Sequence, residues 1–195
     1  MMRRAVLVVG GVAMLLLAAW ALTRGLERVM QRPDDSASEQ PDGAPPAEAP
    51  VRHITATLFY GSDDGMHLVP VQREVPYGEG AAEQGRQILL AQLTIAPEPP
   101  LVQVIPRGST LRSFYVSGRG DAFVDLGREI VKAHPGGSTA ELLTVYAIVH
   151  AVLANLPALT SVQILVDGHE VDTLAGHVDL RRPLQRNDAM VLEPR

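Results

Sequence analysis

Cysteine is absent from this chain of 195 residues. Its absence excludes disulfides, cysteine-ligated zinc or iron–sulfur sites, thiol nucleophiles and an N-terminal cysteine that could carry a lipid. Aromatic residues make up only 4% of the sequence, whereas hydrophobic residues make up 46%. The core must therefore consist mainly of aliphatic side chains, and a fully disordered chain is excluded. The formal net charge of −5 argues against nucleic acid as the main partner.

Charge and composition divide the chain into three segments. Residues 1–32 contain five arginines and one glutamate, and we predict that they form an N-terminal membrane anchor. Residues 33–50 contain five prolines, five acidic residues and no basic residue. They show no apolar periodicity that could offset the entropy of ordering, so we expect a disordered linker. Residues 51–195 are predicted to be one folded domain.

The first segment contains an uninterrupted uncharged stretch, residues 5–22, directly after Arg3 and Arg4. At about 1.5 Å per residue, a helix of this length spans roughly 27 Å, close to the hydrocarbon thickness of a bilayer. The flanking arginines predict a cytoplasmic N-terminus. We therefore expect a single-pass protein of the inner membrane, held through residues 5–22, with its C-terminal domain in the periplasm. The alternative is a cleaved signal peptide, because Ala19-Trp20-Ala21 has the form of a cleavage site.

The third segment predicts an α+β fold. Alternating and apolar runs predict strands, and Pro70 places the second of them at a sheet edge or a bulge. We expect a mixed or antiparallel sheet with two main helices packed mostly on one face. The predicted strands are His53–Tyr60, Leu68–Val75, Thr110–Ser117, Asp121–Leu126 and Ser161–Val166, and the predicted helices are Ala81–Ile95 and the segment from Ser138 to Leu156.

The second helix has the clearest signals. Ser138 and Glu141 have the spacing of a capping box, in which each side chain bonds the other's backbone N–H. Pro157 stops the helix. His150 lies at the flank of the apolar stripe, where we expect a half-buried packing residue. The stripe itself follows the 3.6-residue period and consists of Leu142, Val145, Tyr146, Val149, Val152, Leu153 and Leu156.

The order of motifs along this segment resembles the GerMN domain family, which is named after the sporulation and germination protein GerM. The matching pieces extend over most of the segment. They are Thr57-Leu58-Phe59-Tyr60, Leu68-Val69-Pro70, Ile105-Pro106 with Gly108, Ala122-Phe123-Val124-Asp125-Leu126, Leu153 with Leu156-Pro157, Val162 to Gly168, Gly176 to Leu180, and Arg182-Pro183-Leu184. The resemblance implies an extracytoplasmic, non-enzymatic α+β module. It also implies a shape related to the ring-building motifs of secretion and sporulation assemblies.

Several groups of polar residues have the residue types of a metal or catalytic site but not the spacing that such a site requires. The densest group fits no zinc pattern, so we expect a solvated edge there rather than metal ligands; it comprises His169, Glu170, Asp172, His177 and Asp179. Ser138, Asp125 and His150 suggest a catalytic triad, but no Gly-x-Ser-x-Gly elbow exists and Ser138 is explained by capping. We interpret Asp125 and Asp167 as strand-ending residues that fix turns.

Three weaker patterns are also explained without a binding site. Asp63, Asp64 and Asp121 lack the loop pattern of a calcium site. The Arg-Gly-Asp tripeptide within Gly118–Asp121 is better explained as a hairpin turn. Gly136-Gly137-Ser138-Thr139 precedes a helix but lacks the lysine of a phosphate loop. We therefore predict no catalytic, cofactor-binding or metal-binding residue.

These observations favour a membrane-anchored, non-catalytic interaction or assembly module of the bacterial cell envelope, with a link to sporulation or germination implied by the GerMN resemblance. Its expected partners are the inner membrane and envelope proteins, with homo-oligomerisation left open and no nucleic acid. Two alternatives remain. One is a module that binds cell-wall glycan or peptide, which exposed aromatic residues would favour. The other is an envelope hydrolase with an unrecognised site.

Overall fold

A computed structural model describes residues 52–192 of the protein. The predicted anchor and the linker lie outside the described residues, so both stay predictions. The α+β class is confirmed. The strands are β1 (His53–Gly61), β2 (Leu68–Pro76), β3 (Leu111–Val116), β4 (Asp121–Leu126), β5 (Ser161–Val166) and β6 (His169–Glu170), and the helices are α1 (Gly80–Thr94), α2 (Glu129–Lys132) and α3 (Ser138–Asn155), followed by a short 3-10 turn at Asp188–Met190.

The strands form two sheets, and the prediction of a single sheet is wrong. Sheet one is the antiparallel hairpin of β1 and β2. Sheet two has the order β3-β4-β5-β6, with an antiparallel β3–β4 hairpin and parallel pairing of β4 with β5. Parallel neighbours need a crossover connection, and α2 and α3 supply it.

Helix α3 is the centre of the domain. It packs against β1, α1 and β5, so it is enclosed from several sides. The predicted single stripe is therefore too narrow. Leu142 and Tyr146 within it are only partly buried, and four apolar residues outside it are buried: Leu143, Ala147, Ile148 and Ala151. Among the described residues, α3 alone is long and apolar enough to span a membrane, but most of it is buried as a core helix is.

The start of α3 differs from the predicted capping box. The N-cap residue is Gly137, whose φ of 88° is one that glycine adopts readily. No side chain caps this end, and Ser138 is exposed as the first helical residue. Glu141 does not cap this end, because it is completely buried and both of its carboxylate oxygens bond a distant loop. Glu141 lies one turn before the buried Val145, so its carboxylate is on the inner side of the helix.

The inner edge of β1 is closed by side-chain amides rather than by a strand. The amide of Gln92, on α1, accepts from the Phe59 N–H at 2.8 Å and donates to the Phe59 carbonyl at 2.7 Å. The amide of Asn155, on α3, makes the same pair of bonds with Thr57, both at 2.8 Å. Two backbone positions on this edge are thereby satisfied by two different helices, and at its end Gly61 pairs with the backbone of Val102.

The outer strand β2 tolerates a proline for a related reason. Pro70 lies opposite Phe59 in the register of the hairpin. The backbone of Phe59 is turned toward Gln92, so β1 requires no N–H from residue 70. The prediction that Pro70 belongs to an edge strand is confirmed, and the proline leaves one donor fewer on that edge.

Replacing Gln92 by leucine should destabilise the domain although leucine is apolar and Gln92 is fully buried. The change leaves the Phe59 N–H and carbonyl unpaired in the interior, at a cost of about 1–3 kcal/mol for each group. Urea unfolding should show the loss. Gln87→Leu on the more accessible side of α1 is the matched control and should change stability by less than about 0.5 kcal/mol. Equal unfolding midpoints for Gln92→Leu and the parent protein would contradict this account of the edge.

Candidate functional site

The most connected polar side chain of the domain is Glu141, in the first turn of α3. One carboxylate oxygen accepts the backbone N–H groups of Leu174 and Ala175, both at 2.8 Å. The other accepts the N–H of His177 at 2.8 Å and lies 3.1 Å from the Nδ1 atom of the same residue. Burial, the largest single influence, raises the pKa of Glu141. The three backbone donors and His177 together outweigh it, so the net shift is downward and Glu141 remains a carboxylate.

This contact changes the interpretation of the segment after β5. The five residues of the expected solvated edge are exposed in β6 and in the loop that follows, but this loop is also held to the rest of the domain. That loop is anchored by Glu141 and by three buried side chains, Leu174, Val178 and Leu180. Sequence reasoning took Glu141 for a capping residue and missed its role. The signal was its position in line with the apolar stripe of α3.

The five polar residues of this segment do not converge on one point. His169 contacts the carbonyl of Asp167, His177 contacts Glu141, and Asp179 forms a paired contact with the guanidinium of Arg181. The Arg181 contacts lower the pKa of Asp179. Within residues 52–192, no three His, Asp or Glu side chains are placed to hold a metal ion.

Asp125 and Asp167 hold the turn after β5. One oxygen of Asp125 accepts the Gly168 N–H at 2.7 Å, and the other accepts Arg112 Nε at 3.1 Å. Asp167 has a φ of 51° and binds Arg128 Nε at 2.5 Å. Arg128, the main cause, lowers the pKa of Asp167. Both carboxylates therefore fix a turn, in agreement with the sequence interpretation.

The triad residues are committed to different partners. His150 is fully buried, not half-buried as expected, and its Nε2 lies 3.1 Å from the Asn187 carbonyl. A carbonyl only accepts, so Nε2 carries the hydrogen of a neutral imidazole. Burial, the largest influence, lowers the pKa of His150. Asp125 binds Arg112 and Gly168 instead, and Ser138 is exposed at the start of α3.

The remaining candidates are local turn elements. Asp64 accepts the Ser62 hydroxyl and the Met66 N–H within the β1–β2 turn. Asp121 accepts the hydroxyl groups of Ser117 and Ser161 on sheet two, so the carboxylate of the Arg-Gly-Asp tripeptide is occupied in its hairpin. The Gly136–Thr139 stretch forms the start of α3 described above.

Three cavities of about 320–380 Å³ lie on the described domain. One lies at the C-terminal end of α1, beside Arg107. A second lies beneath the C-terminal segment and contains Arg186 and Asp188, which are paired with each other. The third lies beside Met66 and Leu143 and contains no charged side chain. Among the lining residues described, none of the three has a histidine or two carboxylates, as acid–base chemistry would need.

The face of sheet two that is turned away from α1 carries a different kind of surface, which we call the outer face. It carries the side chains of Ser113, Tyr115, Asp121, Phe123, Asp125, Ser161, Gln163 and Leu165. Of these, Asp125, Ser161 and Gln163 are buried. The opposite face is apolar and buried, and Gly85 of α1 contacts it closely at the ring of Phe114. On the outer face, Tyr115 is 60% exposed. It is the most exposed large hydrophobic side chain of the described residues, which makes it a candidate for binding.

Comparison with known proteins gives a consistent family. The family model Germane, described as sporulation and spore germination, matches residues 57–172. The first GerMN domain of the Bacillus subtilis sporulation protein GerM matches with a TM-score of 0.54 and 16% identity, covering 68% of this chain and 98% of that domain. The tandem GerMN domains of the same protein match with a TM-score of 0.54 and 14% identity, covering 69% of this chain and 46% of the tandem.

A crystal structure of a candidate lipoprotein from Clostridium perfringens is 24% identical, with a TM-score of 0.49, and covers 70% of this chain and 89% of that one. Among curated proteins, none matches this sequence. The GerM structures support the fold alone, because their identity to this chain is low.

Glu141→Gln should release the loop at residues 174–177. The amide group of glutamine presents N–H donors where the carboxylate accepted backbone N–H groups, and hydrogen bonds to a charged partner contribute about 1.5–3 kcal/mol. We expect a stability loss of about 2 kcal/mol and faster hydrogen exchange at Leu174, Ala175 and His177. Glu170→Gln in exposed β6 is the control. Unchanged exchange at the three amides would show that Glu141 does not hold the loop.

Stability should fall as the pH drops below about 6.5, because His150 has its ordinary pKa of 6.5 in the unfolded chain and a lowered pKa in the folded one. The unfolded state then binds a proton that the folded state does not bind until the pH reaches the lowered value. Urea unfolding at pH 7.5 and 5.5 should show a smaller difference for His150→Met than for the parent protein. His53→Gln removes an exposed histidine and should leave the difference unchanged. An identical pH dependence for His150→Met would contradict the assignment.

Proposed function

The chain belongs to the Germane family of sporulation and spore germination, and we propose that it is a non-catalytic interaction module of the cell envelope. In this proposal residues 5–22 anchor it in the inner membrane, residues 33–50 act as a spacer, and the domain assembles with envelope proteins outside the cytoplasm. The uncharged stretch at residues 5–22 supports the anchoring part of the proposal. The structure supports the non-catalytic part.

One observation carries the non-catalytic assignment. Within residues 52–192, nine of the ten buried polar side chains bond a backbone group of the domain itself. The tenth, Ser161, donates to Asp121. Groups used in this way satisfy the interior of the domain, which supports a structural role for them. The lowered pKa of Glu141 arises from these internal hydrogen bonds, and the lowered pKa of His150 arises from burial.

The two termini of the described domain lie at opposite ends of sheet one. The chain enters at Arg52, whose carbonyl accepts the Tyr77 N–H and whose guanidinium lies 4.3 Å from the centre of the Tyr77 ring. Leu192, near the other terminus, donates its N–H to the Leu68 carbonyl at the opposite end of β2. Nine-residue strands at about 3.4 Å per residue separate these ends by roughly 27 Å. The β1–β2 turn with exposed Met66 therefore lies at the opposite end of sheet one from Arg52.

Fractionation of the full-length chain, expressed in a bacterium with a C-terminal tag, tests the anchoring. The protein should stay in the membrane pellet after a high-salt wash and leave it only with detergent. Protease added to spheroplasts should digest the domain. A Leu15→Arg, Leu16→Arg double variant interrupts the apolar stretch and should lose membrane integration, because a charge at the bilayer centre costs about 2.5–3.5 kcal/mol.

Two results would contradict the proposal. A mature chain that begins near Leu22 in mass spectrometry would replace the anchor by a cleaved signal peptide. A domain protected from protease in spheroplasts would place it in the cytoplasm. For the interaction itself, crosslinking in intact cells should capture envelope proteins with the parent chain but not with the double variant.

A further inference from the structure

The outer face of sheet two contains an aromatic pair. Tyr115 on β3 lies directly opposite Phe123 on β4, so the two rings project from the same face. Cβ atoms of directly opposite residues are about 4.5–5.5 Å apart. The neighbouring residues Phe114 and Val124 point the other way and are buried. The pair, which we call the aromatic platform, therefore lies on the outer face, with Tyr115 exposed and Phe123 partly buried.

Polar groups border this platform at both ends. At one end Asp121 accepts the hydroxyls of Ser117 and Ser161, with Arg119 Nε at 3.8 Å. At the other end Arg112 binds Asp125, and Arg128 binds Asp167. The two borders supply hydrogen-bond donors and acceptors on either side of the rings. Arg112 uses only its Nε and Nη1 groups within the described domain, so further N–H donors remain for a ligand.

The charges of these borders cancel. Three arginines, Arg112, Arg119 and Arg128, balance three aspartates, each of which has an arginine or hydroxyl partner. A strongly anionic or cationic ligand would have to displace existing pairs. A neutral ligand with an apolar face and a polar edge meets no such cost. The sugar rings of an oligosaccharide have this character, with C–H groups on one face and hydroxyl or amide groups around the edge.

We propose that the outer face of sheet two, centred on Tyr115 and Phe123, binds a neutral oligosaccharide. The C–H face of a sugar stacks on the two rings, and its polar substituents bond the bordering arginine and aspartate side chains. This binding is an activity additional to assembly with envelope proteins. The proposed function contributes only the location, since a domain outside the cytoplasm meets the glycan strands of the cell wall.

The test is binding of soluble N-acetylglucosamine oligomers by the full-length chain in detergent micelles, measured by calorimetry and by saturation-transfer NMR. Tyr115→Ala should weaken binding at least about tenfold, as truncation of a central aromatic contact does. Tyr115→Phe keeps the ring and should retain the affinity. Tyr77→Ala is the matched control, because Tyr77 is also exposed, at 42%, but lies beside Arg52 and not on the outer face.

Co-sedimentation with purified cell-wall sacculi extends the test to the polymer, with the same four proteins. Failure to bind either the oligomers or the sacculi, or equal binding by Tyr115→Ala and the parent, would overturn the proposal. So would a change of oligomeric state or of captured protein caused by Tyr115→Ala without any glycan binding, because the face would then be a protein interface. None of these results depends on the membrane fractionation, so the two proposals can fail separately. Equal melting temperatures would show that the variants remain folded.

Discussion

The inner edge of β1 is the constraint on which the rest of the domain depends. A two-stranded hairpin is marginal by itself in water and needs a partner. Here the partner is not a third strand but the amides of Gln92 and Asn155, which bond the backbone of Phe59 and Thr57. Because one amide comes from α1 and the other from α3, the contact ties both helices to sheet one. The same helices pack against sheet two, so the two sheets share one core.

Other polar side chains of the domain also bond backbone groups that would otherwise be unpaired. Glu141 closes the loop after β6, Asp125 closes the turn after β5, and His150 holds the C-terminal segment at Asn187. Each is a titratable side chain of a type that often acts as a general acid or base. Each instead satisfies backbone groups that no regular strand or helix reaches. A domain built in this way is suited to present surfaces, and its distinctive surface is the outer face with Tyr115.

Much of the fold was accessible from the sequence because local patterns set it. The hairpins, α1 and the strand β5 follow from alternation, turn residues and Pro70, and their observed bounds lie within a residue or two of the predicted ones. The GerMN resemblance rested on the order of these elements. The candidate surface was less accessible, since Tyr115 is one of two neighbouring aromatic residues in a strand and only pairing with Phe123 shows which of them faces outward.

By itself, the sequence determined the element types, the α+β class and the aliphatic character of the core, because these depend on residues close together in the chain. Only the tertiary structure decided that there are two sheets, that α3 is enclosed rather than one-sided, and that Glu141 binds a loop instead of a helix cap. Those outcomes depend on contacts between residues 33 to 98 positions apart, such as Glu141 with Leu174 and Thr57 with Asn155. The residue pattern of a capping box is the same whether Glu141 turns back to its own helix or faces a distant loop. Glu141 faces the distant loop because that loop packs over the start of α3, where it buries the carboxylate and brings three backbone N–H groups to it.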